Sequence, residues 1–376
     1  MLHLDTLWFV LISVLWVGFF VLEGFDLGVG VLHTIVGKTD TERRIAINTI
    51  GPWWDGNEVW LIVAGAGTFA AFPGWYATMF SALYLALLLL LLALMARGVA
   101  FEFKGKREDP RWRKAWTWCM TLGSLLIPLL IGVGLGDLLN GLPIDAAHNY
   151  TGNFFELLTP YGLWTGFTFL GLCLLHGATF LKLRTEGPIR ERAAAIAKPL
   201  GWAASALVVG FVIWTLSVAG NGELPDPVQA LAVLAVLFAA RLASTDSDGW
   251  SFTASAIAIA ATVGSLFIEL YPRVMVSTTN AAYSLTVSNT ASGHYALTVM
   301  TIVTVLFLPL VLAYQGWSFW VFRGRVKAPP AEPDGPATTP RPPIAGAGPA
   351  APGAGPGALG AGPAAPGAGA PAAPQA

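Results

Sequence analysis

The chain is expected to be an all-α polytopic membrane protein, and three observations lead there. Hydrophobic residues make up 55% of its 376 positions and charged ones 11%, against about 25% charged usage in soluble domains. Several apolar runs reach the roughly 20 residues that cross a bilayer as a helix. The lysines and arginines gather in alternate connections between those runs, as they do when one side of a membrane retains positive charge. The net charge of -1, with no Gly-rich phosphate loop, HExxH or CxxC word, points to neither a nucleic-acid partner nor a soluble metalloenzyme.

Nine apolar segments are predicted to be transmembrane helices, at 7–33, 52–72, 77–101, 117–140, 158–182, 199–219, 227–243, 251–272 and 295–321. The first lacks a basic leader and a small-residue cleavage site, so it is expected to be retained as a span. The seventh is the shortest. Its reality is tested by charge, because all but two of the 21 Lys and Arg residues then fall on one side, the exceptions being Arg97 and Arg273. Nine crossings place the N-terminus outside and the C-terminus in the cytoplasm. Beyond Val326 the composition changes to Pro, Ala and Gly without apolar periodicity, so residues 1–326 are expected to form the helical domain and 327–376 a disordered cytoplasmic tail. Cys119 and Cys173 lie inside apolar runs and are expected to pack as small hydrophobes.

Ionisable residues within spans are costly to place there and concentrate the functional argument. In "VLEGFDLGVG", Glu23 and Asp26 stand three positions apart on one helix face, with Gly24 and Gly28 offering a surface for close helix approach. In "GPWWDGNEVWLI", Asp55 and Glu58 repeat that spacing beside Trp54, Asn57 and Trp60. The third run ends in "MARGVAFEFKGK", with Arg97 inside it and Glu102 at its mouth. All of these acids are expected at the cytoplasmic end. Three readings remain open: Asp55 as a helix-start acid favoured by the dipole, an ion pair of Arg97 with Asp26 or Asp55 holding helices in register, and a proton route through closely spaced carboxyls and water. Of five histidines only His176 is well placed within a span, where a hydrogen-bonded packing role is the expected one. Trp8, Trp75, Trp250, Trp317 and Trp320 are predicted to lie in interfacial aromatic belts.

The words "EGFDLGVG" at 23–30, "DTERRIAINTIGPWWDGNEVWLI" at 40–62, "YTGNFFELLTPYGL" at 150–163 and "LYPRVMVST" at 270–278 resemble subunit II of cytochrome bd-type quinol oxidases, from about residue 7 to residue 326. The resemblance implies two four-helix bundles plus a peripheral helix in the bacterial cytoplasmic membrane. It also implies a haem-bearing subunit I as partner, with haems of the b and d types on that partner, and quinol and oxygen as substrates of the complex. Small accessory subunits and a quinone or lipid bound to this chain are left open. By the same resemblance Asp26, Asp55 and Glu102 carry protons from the cytoplasm, Glu23, Arg97, Trp54, Asn57 and Glu58 support them, and an oxygen path runs near Trp60. Many relatives have Asp where this chain has Glu23 and Glu102. The main rival is a proton-coupled secondary transporter, and a second is a scaffold with no part in proton movement. The acids cluster in the first three runs without the inverted repeats common in transporters.

Overall fold

A helix stands at each of the nine apolar runs in the computed structural model, which describes residues 3–220 and 224–326. In chain order the helices are α1 (Leu4–Val36), α2 (Asp40–Asn48), α3 (Trp54–Ala71), α4 (Pro73–Ala82), α5 (Tyr84–Phe103), α6 (Pro110–Asn140), α7 (Pro160–Arg184), α8 (Gly187–Ala219), α9 (Pro227–Ala243), α10 (Asp248–Leu270), α11 (Val287–Thr290) and α12 (His294–Val321). Between α10 and α11 a short antiparallel pair, β1 (Arg273–Met275) and β2 (Leu285–Thr286), closes one end. Seven helices among the described residues are long and apolar enough to cross a membrane: α1, α5, α6, α7, α8, α10 and α12. The other two segments expected to cross are short, α3 at 18 residues with two acids near its start and α9 at 17. The tail from residue 327 lies outside the described residues.

The departures from expectation have local causes. The third run is broken at Leu83, whose ψ of 12° interrupts the helix, so it comprises α4 and α5. The first connection holds an additional helix, α2, started by a capping box in which Thr39 Oγ1 accepts from Glu42 N at 3.2 Å and Glu42 returns the contact to Thr39 N. α6 begins earlier than hydropathy suggests because Asp109 caps it and Pro110 opens it. α8 likewise starts at Gly187, before the apolar run, so Arg190 and Arg192 are helical.

The interior is organised around α1. A Cβ on Gly28 would lie 2.0 Å from the carbonyl oxygen of Cys173 and 2.8 Å from Cα of Gly177, so α1 and α7 touch backbone to backbone there. Gly132 and Gly166 bring α6 against α7 in the same way. Cys119 and Cys173 are free thiols. Trp8 and Trp75 are not interfacial in this chain: both are buried, and Trp8 donates to Leu297 O and to Thr301 Oγ1 at 3.0 Å, tying α1 to α12. Trp250, Trp317 and Trp320 are exposed. Only Leu297 of α12 is buried, and the rest of that helix presents apolar surface outward.

Basic connections meet at one end of the bundle and are joined there by acids. Arg192 pairs with Glu42 at 2.6 Å and Arg113 approaches Asp40 at 3.9 Å. Asp248, itself buried, receives Lys182 at 3.3 Å, Arg190 at 3.1 Å and Arg325 at 3.0 Å. Arg184 donates to Phe322 O, and Val326 N donates to Arg184 O at 2.8 Å, so the segment after α12 is pinned to the end of α7.

Candidate functional site: a buried carboxyl and arginine cluster

The face of α1 carrying Glu23 and Asp26 turns toward α3 and α5 near the basic end of the bundle. Arg97, fully buried on α5, places Nη1 2.7 Å from Glu23 Oε1 and 2.9 Å from Glu58 Oε2. Glu23 is fully buried and Glu58 partly so. The ion pair expected between Arg97 and Asp26 or Asp55 is therefore made with Glu23 and Glu58 instead, because the longer glutamates reach across the gap between helices. Asp26 is held by an amide: Asn57 Nδ2 donates to its Oδ2 at 2.7 Å and to Leu22 O at 3.1 Å. Gln315 of α12 donates to Asn57 Oδ1 at 2.9 Å. Three carboxyl groups thus share one guanidinium and a chain of two amides, all between apolar helices.

The remaining site residues divide. Trp54 stacks on Phe101 with centroids 4.2 Å apart, and the Arg97 guanidinium lies over the same ring at 5.5 Å, so the indole supports the cluster through Phe101. The Trp60 ring packs against Gly18, where a Cβ would stand 2.4 Å from it. Asp55 and Glu102 are exposed on this chain and make no hydrogen bond or ion pair with the described residues. Trp53 occupies the cap position of α3 and Asp55 stands in its first turn, where the dipole favours an acid, without a side-chain capping hydrogen bond.

Several polar residues in the interior were not singled out by the sequence. Gln315 is a lone amide in "VLAYQGW", a visible signal. Asp137, in "GLGDLL", is buried and accepts from Thr159 Oγ1 at 2.5 Å. Asp248 lacked a signal, since its three cations come from distant parts of the chain. His176 is a packing residue: Nδ1 contacts Ser255 Oγ at 2.7 Å, Nε2 contacts Val21 O at 3.1 Å, and the ring stacks on Phe252 at 4.4 Å. With both nitrogens engaged, this imidazole does not fit the role of an axial haem ligand. Among the described residues no group of three or more His, Cys, Asp or Glu is placed to hold a metal ion. Near the same end of the bundle, burial pushes the Lys104 ammonium below its ordinary range.

Fold and site together define a polytopic helical membrane subunit with a buried acid and arginine cluster near its basic end. Residues 4–322 match the family described as cytochrome bd terminal oxidase subunit II, and the chain belongs to that family. It is 44% identical over 330 residues to cytochrome bd ubiquinol oxidase subunit 2 of Bacillus subtilis (strain 168), covering 87% of this chain and 98% of that one. It is 37% identical over 361 residues to cytochrome bd-I ubiquinol oxidase subunit 2 of Escherichia coli (strain K12), covering 86% and 95%. A solved structure of bd oxidase from Geobacillus thermodenitrificans shares the fold, with a TM-score of 0.68 at 16% identity over 85% of this chain and 98% of that chain. The relatives are subunits of a terminal oxidoreductase, and membership of their family displaces the transporter reading.

Proposed function

We propose that this chain is the subunit of a bacterial quinol:oxygen oxidoreductase that stabilises a haem-bearing subunit I, with haems b and d on that partner, and delivers protons from the cytoplasm for reduction of oxygen to water. In this reading the chain crosses the cytoplasmic membrane nine times as two four-helix bundles plus a peripheral helix, N-terminus outside, with a tail after residue 326 on the cytoplasmic side. Asp26, Asp55 and Glu102 carry protons; Glu23, Asn57, Glu58, Arg97 and Trp54 are supporting groups; Trp60 borders an oxygen path. Quinol and oxygen are substrates of the complex, with small accessory subunits and a bound quinone or lipid as further partners.

The observation that carries the reading is the cluster itself: Arg97 between Glu23 and Glu58, with Asp26 beside them, at the end where the basic connections meet. A simple register-holding pair needs one acid and one base. Here the carboxyls outnumber the guanidinium, an inventory in which a proton can reside without another cation. The test uses the intact oxidase. Asp55→Asn and Glu102→Gln should each keep haem content in the reduced absorption spectrum while lowering quinol oxidase turnover. Normal turnover and normal proton uptake in both would remove the proton role and leave the scaffold reading.

A further inference from the structure

One face of α1 carries, at successive intervals of three and four residues, Glu23, Asp26, Gly30 and His33, a line about 15 Å long at 1.5 Å per residue. α6 packs along it, and Arg97 reaches to it from α5. Ser124 of α6 sits directly on Gly30, where a Cβ would lie 2.0 Å from its hydroxyl oxygen, and Gly123 brings α6 against α5, where a Cβ would lie 2.7 Å from Ala93 O and 3.0 Å from Arg97 Cβ. Glu23, Asp26, His33, Arg97 and Ser124 are all completely buried. Along this line the Glu23 and Asp26 carboxyls face each other within hydrogen-bond reach, and buried polar atoms lack a protein partner beyond them: Nε and Nη2 of Arg97, Ser124 Oγ, and Nε2 of His33, whose Nδ1 is used by Gly30 O at 2.7 Å. Elsewhere in the interior unpartnered atoms stand singly, as Ser251 Oγ and Asp137 Oδ2 do.

Buried polar groups in folded proteins find partners, and where protein supplies none, ordered water does. A lone orphan would call for a single bound water. Three residues in a row along one seam, Arg97, Ser124 and His33, running from the carboxyl pair toward the end of α1, call for a connected file. We infer that the seam between α1, α5 and α6 is a hydrated path joining His33 to Asp26 and Glu23, and that His33 and Ser124 position its water. The small residues have a part in this: Gly30 gives the Ser124 hydroxyl its place on the helix surface, midway between Asp26 and His33. His33 faces Lys104 and Arg43 at the mouth, with Asp40 near Lys104. The path therefore opens on the end of the bundle where α2 and the connection after α5 meet. The exposed acids Asp55 and Glu102 are not among the residues that line it.

The role of the path rests on the proton-delivery reading above; its hydration does not. Both are tested on the complete oxidase. A density map of the complex fine enough to show water should have a file of waters between His33 Nε2 and Asp26 Oδ1; direct side-chain closure of the seam without water overturns the inference. In proteoliposomes pulsed with oxygen, His33→Leu should slow proton uptake from the cytoplasmic side by about tenfold at unchanged haem content. His33→Gln, which restores a polar group, should recover most of it. If Asp26→Asn slows uptake and His33→Leu does not, proton delivery stands and the seam is not its route. If neither variant slows it, proton delivery does not pass through Asp26, and the role of the seam fails. Equal loss in His33→Leu and His33→Gln would show a packing requirement instead and also overturn the role.

Discussion

Replacing Arg97 with methionine should be among the most damaging single changes in the chain. The stem volume is kept, but Glu23, fully buried 2.7 Å from the guanidinium, is left as an acid without a cation among apolar helices. Removing one partner of a buried pair costs about 3–5 kcal/mol because the other charge remains desolvated. The second pair adds little, since Glu58 is 22% exposed and can recover water. We therefore expect a loss of about 4 kcal/mol, nearly a thousandfold in the folded to unfolded ratio. The assay is unfolding of the purified complex in mixed micelles of rising dodecyl sulfate content, carried out as a double-mutant cycle with Glu23→Gln. The double variant should lose far less than the sum of the singles, with a coupling of at least about 2 kcal/mol. Additivity within about 0.5 kcal/mol would refute the claim that these two groups depend on each other.

Three further outcomes follow from contacts elsewhere. Gly28→Ala should cost about 3 kcal/mol or more, since its Cβ would meet backbone atoms of Cys173 and Gly177 that cannot rotate away; Gly65→Ala, with nothing within 4 Å, should be neutral in the same thermal-stability assay. Asp248→Asn strands the buried Lys182 together with Arg190 and Arg325, and should both lower stability by about 3 kcal/mol and loosen residues 322–326, seen as faster tryptic cleavage after Arg325. The hydrogen bond from Arg192 holds the Glu42 carboxyl below its ordinary value near 4.5. Its folded value is thus lower than its unfolded one, so the contact stabilises α2 fully above the unfolded value and the contribution is lost as pH falls from there through the lower folded value. A spin label at Asn48 should gain mobility on acidification, and Glu42→Gln should remove that pH response.

The acids of the site were legible because spacing alone places Glu23 with Asp26 and Asp55 with Glu58 on shared helix faces. Their pairing was not, because a single helix's periodicity says nothing about how neighbouring helices are rotated or how far a side chain must reach between them. Glu23 and Glu58 reach Arg97, whereas the shorter Asp26 is met by Asn57. The break at Leu83 was hidden for a related reason: Leu83 lies in an unbroken apolar stretch with no Gly or Pro to mark it. By contrast α2 had a signal in "TDTE", the two ends of a capping box, but its polar composition reads as a connection when hydropathy is the guide. Trp8 and Trp75 carry the residue type of an interfacial belt, and only tertiary packing against α12 and the core buries them.

The distribution of acids bears on what the subunit can do by itself. Those satisfied within the chain, Glu23, Glu58 and Asp26, are fixed by Arg97 and Asn57 and so have a geometry of their own. Asp55 and Glu102 have no such partner here and sit on the outer surfaces of α3 and α5. An ionised side chain at the end of a membrane helix is stable only beside water, headgroups or a matching group on another chain. Under the proposed function the first set stores and orients protons, while the second set becomes structured on assembly with subunit I. Isolated from its partner, the chain should therefore retain the Arg97 cluster and lose the organisation of Asp55 and Glu102, so that under the proposed function proton delivery depends on assembly.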